Sequence, residues 1–257
     1  MSVDLWQTMP LNVLDFETTG VDVMTDRIVQ AAFVEFPDTS QGPARPVAHQ
    51  WLVDPGVEIP DGAAAVHGIT TERARAEGMA PDVALFELAG RIALGLGRGV
   101  PLVVYNAAYD LTLLEVELAR HGVDTIASRL PRGWVRPIVD PFVIDKRISR
   151  RKGPRKLVNL CEHYGVVHVG AHDAAGDAIA TGRLARRVMV KAASFKRDPG
   201  MERWPLNMLH QAQVEWRREQ MDSLRAYFDR EGKEHDGCDG GWPLQDRYAR
   251  SLSERAA

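Results

Sequence analysis

A short, mostly apolar run, residues 11–14, stops at a carboxylate and continues as Asp15-Phe16-Glu17-Thr18-Thr19-Gly20. A run of this length ending in a Thr-Gly turn reads as a buried strand. Residues two apart on a strand point to the same face. Asp15 and Glu17 therefore share a face, and Phe16 turns the other way into the core. Two adjacent carboxylates repel, and a hard cation held by oxygen ligands offsets that repulsion. By itself the pair reads equally well as a polar strand end.

The remaining pattern places this strand in a mixed sheet. Residues 27–36 and 47–53 read as strands separated by the turn-rich stretch 37–46, which predicts a meander. Residues 101–105 and 135–139 read as two further strands. Helical periodicity covers 70–76, 81–96, 107–121, 142–148, 156–164 and 174–191. Strands in a meander followed by strands alternating with helices give an α/β fold with helices packed on the sheet. Beyond residue 193 the character changes. Residues 194–204 are loop-like, a long helix is predicted over 205–231, and 232–244 is Gly-rich and irregular. The division expected is a catalytic domain at residues 8–193 and a C-terminal helical and irregular extension at 194–257.

Two more acidic features stand in this frame. The strand at 101–105 runs into Asn106, a residue suited to an N-cap, and Asp110 follows on the same helical face. Asp110 also suits the positive end of the helix dipole and needs no other role for that. The third feature is His172-Asp173-Ala174-Ala175-Gly176-Asp177. Its small residues allow a helix to approach a neighbouring surface closely. His172 or Asp173 could equally serve as a simple cap. Four carboxylates on three elements, with a histidine, a residue type whose unperturbed pKa of ~6.5 suits proton transfer, make up what a two-metal phosphodiester site requires. No Cys/His cluster points to zinc.

These three motifs, in this order, resemble the DEDDh branch of the DEDD exonuclease superfamily, which includes DnaQ-like proteins and the proofreading epsilon subunits of DNA polymerase III. The segment from Val66 to Thr70 and the stretch from Lys156 to Cys161 match as well, and the resemblance spans residues 11–190. It implies an RNase H-like mixed β-sheet flanked by helices, with the C-terminal segment as a helical appendage. It implies 3′→5′ exonuclease activity releasing nucleoside 5′-monophosphates, with two Mg²⁺ ions for which Mn²⁺ substitutes. Asp15 would bridge both ions, Glu17 and Asp177 would complete the nucleophile-side site, and Asp110 would hold the second ion. His172 would take the proton from the attacking water. Thr18, Thr19 and Gly20 would lie near the terminal nucleotide, His67 and Ile69 near its base and sugar, and Asn106 near the phosphates. Tyr105 departs from the His often found there in epsilon-like members.

The expected partner is a single-stranded or frayed 3′ end of DNA in proofreading or repair, with RNA as the alternative substrate. A non-catalytic nuclease-like module of a polymerase or repair complex is a third reading. A polymerase or repair partner would be met through the C-terminal extension. A formal charge of −3 gives no global basic field, so phosphates must be held by local patches and cations. Residues 146–156 carry seven basic side chains and could contact the substrate backbone or form a solvated loop. The tail aromatics Trp204, Trp216, Tyr227 and Trp242 are expected to pack the tail against the catalytic domain. Cys161 and Cys238 are expected as free thiols in a cytoplasmic protein. The N-terminus shows no signal pattern and no stretch is long enough to span a bilayer.

Overall fold

A computed structural model describes residues 3–170, 172–235 and 237–256. Strands β1 (Leu11–Thr18), β2 (Ile28–Phe36), β3 (Val47–Leu52), β4 (Leu102–Val104) and β5 (Ile138–Val139) form one sheet in the order β3-β2-β1-β4-β5. The first three pair antiparallel, as the meander predicts, and β1-β4-β5 are parallel. The fold is the expected mixed, RNase H-like sheet flanked by helices. Ten α-helices are described: α1 (Val3–Thr8), α2 (Asp61–His67), α3 (Thr71–Glu77), α4 (Pro81–Gly97), α5 (Ala107–Arg120), α6 (Pro141–Ile148), α7 (Leu157–Tyr164), α8 (Ala174–Ala192), α9 (Leu206–Glu231) and α10 (Asp246–Ala256).

The alternation of β1 decides which helix covers which face. Val13 meets α8, where a side chain on Gly182 would strike both Val13 and the Phe36 ring. Asn12 points the other way and meets α4, where its amide fills the space beside Gly95. The sheet is therefore a layer between α8 on one side and α4 on the other, and both faces of β1 are buried. By the same alternation Asp15 and Glu17 fall on the α8 side and Phe16 on the α4 side. Phe16 is a core residue, as its position predicts. β1 runs past residue 14 through the whole acidic motif to Thr18, with a register shift between Glu17 and Thr18 that ends the ladder.

The free edge of β5 is closed by side chains instead of another strand. Ile138 N donates to His210 Nδ1 (3.1 Å), and Asp140 N donates to Gln213 Oε1 (2.7 Å). Gln213 Nε2 donates in turn to Ile138 O (3.1 Å). Both residues lie on α9, and Gln213 is fully buried. The tail aromatics pack as expected for Trp204, Trp216 and Trp242. Trp204 lies against Trp216, and Trp242 lies against His210. Tyr227 stays partly exposed at the far end of α9. From α9 the chain returns across α5, where Gln245 N donates to Thr112 Oγ1 (2.9 Å). Cys161 and Cys238 are free and buried. No described helix is long and apolar enough to cross a membrane.

Burial, with help from the Arg136 charge, depresses the His210 pKa to about 4 against the bond from Ile138. The ordinary value is ~6.5, so the unfolded chain takes up this proton more readily than the folded one. The stability this group contributes is complete above pH ~6.5 and is lost as pH falls toward 4, by ~3 kcal/mol in all. His210→Asn keeps an acceptor near Ile138 and removes the titration. Its unfolding free energy should fall less than the wild type's between pH 7 and pH 4, as read by urea denaturation. Parallel pH profiles would remove His210 from this role.

Candidate metal centre and its surroundings

Asp15, Glu17 and Asp177 each offer an oxygen, and these atoms lie within 4.8 Å of one another. Asp15 and Glu17 arrive from β1. Asp177 arrives from the first turn of α8, whose N-terminus is capped by Asp173 through Gly176 N (3.1 Å). Asp110 is buried at the first turn of α5. It stands outside the three-residue group, yet its charge acts on Asp15 more strongly than that of any other residue. Burial first, then Asp110, Asp177, Glu17 and Asp173, hold the Asp15 carboxyl well above the usual range. Burial and the charges of Asp177 and Asp173 push Glu17 up to about 7. Burial likewise raises Asp110, with Asp140 and Glu17 adding to it.

Two other buried acids, Asp145 and Glu117, are compensated. Asp145 receives Arg155 and Tyr164. Glu117 pairs with Arg120 and accepts from Ile28 N. Among the described ion pairs none gives Asp15, Glu17 or Asp110 an arginine or lysine partner. A concentration of hard oxygen donors without a protein cation fits Mg²⁺ or Mn²⁺.

The turn that carries Asp110 is built differently from its expectation. Asn106 adopts the left-handed conformation (φ 58°), and its side chain caps nothing. The cap comes from Asp140, the fully buried residue at the N-terminus of α6. Its carboxylate accepts from Asn106 N (3.0 Å), Ala107 N (2.9 Å), Phe142 N (2.9 Å) and Val143 N (3.4 Å). Trp242 Nε1 donates to it as well (3.3 Å). A local reading of residues 105–110 could not find a cap located 34 residues away.

The segments predicted to face substrate are brought together. Tyr109 OH donates to Gly20 O (2.6 Å) and lies 3.0 Å from Thr18 Oγ1. Thr19 Oγ1 donates to Asp26 (3.0 Å), and Asp26 fills the space where a Gly20 side chain would be. His67 ends α2 and lies against the Thr18 backbone, and burial lowers its pKa. Its Nδ1 accepts from Ile69 N (3.2 Å), while the Ile69 side chain is buried in a small cluster with Val29, Ile59 and Ala74. Ile69 thus positions this corner from the core.

The histidine found against the carboxylates is His168. Its Nε2 donates to Asp177 Oδ1 (2.5 Å), and its Nδ1 is buried without a partner among the described residues. His172 stands on the exposed turn before α8 at φ 66°. It makes no side-chain hydrogen bond among the described residues. His168 is held by a close approach: a side chain on Gly176 would strike the carbonyls of Val169 and Gly170. The small residues of the third motif therefore serve the contact they suggest. No periodic signal marks His168, although Gly176 hints at the segment packed on it.

A family model described as an exonuclease, RNase_T, matches residues 13–185. The chain belongs to the RNase_T exonuclease family. It is 26% identical over 185 residues to a PolC-type DNA polymerase III of Lacticaseibacillus paracasei, covering 71% of this chain and 11% of that protein. It is 28% identical over 183 residues to a DNA polymerase III subunit epsilon-like protein of Rhodobacter capsulatus, covering 69% and 23%. The chain thus spans a quarter or less of the length of these curated relatives. E. coli exonuclease I in complex with a dT13 oligonucleotide shares the fold, with a TM-score of 0.54 at 21% identity over 73% of this chain and 42% of that one. A product-bound exonuclease I gives 0.57 at 17% identity, covering 86% and 48%. The RNase_T chain therefore has a nuclease-type fold of the DEDDh and DnaQ-like kind, with a candidate acidic metal-binding cluster, consistent with 3′→5′ exonuclease activity.

Groups that hydrogen-bond metal-ligating side chains typically contribute 10–100-fold to affinity or activity. His168→Phe keeps ring volume and removes the bond to Asp177. It should weaken Mn²⁺ binding by about that factor in a calorimetric titration while leaving the melting temperature nearly unchanged. Equal affinities would show that Asp177 is oriented without His168.

Proposed function

We propose that this protein is a metal-dependent 3′→5′ exonuclease that removes nucleoside 5′-monophosphates from single-stranded or frayed 3′ ends of DNA. The observation that carries the reading is the carboxylate cluster of Asp15, Glu17 and Asp177 beside Asp110, with no arginine or lysine on it among the described ion pairs. The polymerase III names of the curated relatives and the oligothymidylate complex of a structural neighbour favour DNA. In this reading residues 8–193 form the exonuclease domain. Residues 194–257 are an extension that braces it and could carry a polymerase or repair contact.

Asp15, Glu17 and Asp177 would hold one divalent cation, and Asp110, with Asp15 between the two sites, a second. Such cations neutralise charge on the phosphate and on the leaving oxygen. Glu17, pushed up to about 7, is ready to exchange a proton for a cation near neutral pH. His172 accepts the proton of the attacking water. The new bond forms between that water oxygen and phosphorus, and the bond to the 3′ oxygen breaks. The shortened strand leaves with its 3′ hydroxyl, and the phosphate stays with the released nucleoside. Thr18, Thr19, Gly20, His67 and Ile69 form the corner that receives the terminal nucleotide, with Tyr109 bracing Gly20.

End-labelled single-stranded DNA, frayed duplex and RNA should be compared in Mg²⁺, in Mn²⁺ and in EDTA. Mononucleotides should appear from DNA and cease in EDTA. Preferential RNA trimming would make the protein an exoribonuclease, and no release from any 3′ end would leave a binding module. Asp15→Ala should abolish release in a chain that still melts cooperatively. His172→Ala should lower kcat by ~10²–10⁴ with Mn²⁺ binding retained. Wild-type turnover in either variant would withdraw the role assigned to that residue.

A further inference from the structure

The basic run at residues 146–156 does not form a detached solvated loop. It begins within α6 and folds back so that Lys146, Arg147 and Arg155 face Arg197 and the α9 residues Trp216 and Glu219. The cleft between them has a volume of about 280 Å³. Four of these six residues are cationic, and Glu219 is the acid, with its side chain largely exposed.

The nearby carboxylates are already committed. Asp198 takes both arms of Arg147, at 2.7 and 3.2 Å. Asp145 accepts from Arg155 (2.8 Å) and from Tyr164 (2.8 Å). Asp140 is filled by backbone amides and Trp242. None of the described ion pairs involves Lys146 or Arg197. Lys146 faces Arg217 and Arg155, whose charges act on it before those of Asp140 and Asp145. Arg217 is itself buried, with Nε unpartnered among the described residues. Burial and this crowding of like charge hold Lys146 below the ordinary lysine range. An anion in the cleft would relieve that crowding, and the committed acids would not compete for it.

The cleft is joined to the proposed catalytic end by short contacts. The helix that supplies Lys146 and Arg147 is the one whose Asp140 holds the Asn106 turn. The Tyr105 ring, one residue before that turn, packs edge-on against Phe142 at 5.7 Å. Tyr105 OH donates to Arg155 O (2.5 Å). The Asn106 turn and Tyr105 thus link this cationic surface to the carboxylate end, and phosphate contacts to such a surface set position without reading sequence.

Resting on the exonuclease reading, we propose that the cleft between α6 and α9, with Lys146 and Arg197 as the cations that none of the described ion pairs engages, binds the sugar–phosphate backbone of the substrate strand upstream of the cleaved end. Binding of fluorescent oligothymidylate to the full chain in Ca²⁺, followed by anisotropy across a salt series, tests this. Each phosphate contact to a single strand contributes ~0.7 to the slope of log K against log salt. Lys146→Gln with Arg197→Gln should make that slope shallower by about 1.4 and weaken binding at low salt. Arg197→Glu, at the exposed rim where folding is not at stake, should weaken binding on its own. The control pair Arg183→Gln with Arg187→Gln, on the outer face of α8, should leave the slope unchanged.

An unchanged slope in the Lys146 and Arg197 variant overturns the proposal, as does an equal loss in the control pair, which would mean a diffuse field. Calorimetry with inorganic phosphate supplies a further arm. If phosphate alone binds and its binding is lost in the variant while oligothymidylate binding is not, the cleft is a small-anion site and the proposal fails. Hydrolysis of the p-nitrophenyl ester of thymidine 5′-monophosphate, too short to reach the cleft, should be equal in wild type and variant. Failure of wild type to cleave any substrate would defeat the exonuclease reading, whereas the salt slope reads the cleft without turnover.

Discussion

The Asp140 carboxylate holds the end of this molecule that carries the candidate metal centre in one arrangement. It is buried, and a buried charge is tolerated only when hydrogen bonds replace its water. Four backbone amides and one indole do so here. Two of the amides belong to the left-handed turn that starts α5 and two to the start of α6. The indole comes from beyond α9. One side chain thus fixes the helix bearing Asp110, the helix bearing Lys146 and the returning C-terminal segment relative to one another. Without it these amides would stand unpaired, at ~1–3 kcal/mol each.

The carboxylate cluster represents the opposite choice. Asp15, Glu17 and Asp110 are placed at the end of a buried strand and the start of a helix, and none of the described ion pairs offsets them. Burial and mutual repulsion raise the pKa of each, so keeping them ionised in the folded chain carries a cost in stability. The surrounding core meets it, because β1 is packed on both faces by α8 and α4. The arrangement that results is a candidate site already assembled, with oxygens of Asp15, Glu17 and Asp177 within 4.8 Å of one another. Tyr109, Thr18 and Asp26 lock the turn that follows in the same way.

Much of this was legible in the sequence where the signal is periodic. Apolar runs marked all five strands, and alternation alone put Asp15 and Glu17 on one face and Phe16 on the other. The long helix over 205–231 was marked by its stripe and by Pro205. The short helices α1, α2 and α10 were not. Asn106 looked like an N-cap because its residue type favours caps, but its backbone is left-handed and the capping oxygen belongs to Asp140. The pairing of His168 with Asp177 depends on how closely Gly176 lets two segments approach, which spacing cannot express. The basic run was visible as charge, but its cleft was not, because the opposite wall comes from a helix sixty residues later.

The closure of β5 by α9 also bears on register. A neighbouring strand bonds through a repeating ladder, and a repeating ladder can slip by two residues and still be satisfied. Gln213 has no such freedom. Its oxygen must meet Asp140 N while its nitrogen meets Ile138 O, and a shift of α9 in either direction breaks both bonds. The helix is indexed to the strand at one position, as a key is to its slot. The indole of Trp242, which follows from α9, inherits that index and delivers it to the turn that aims Asp110.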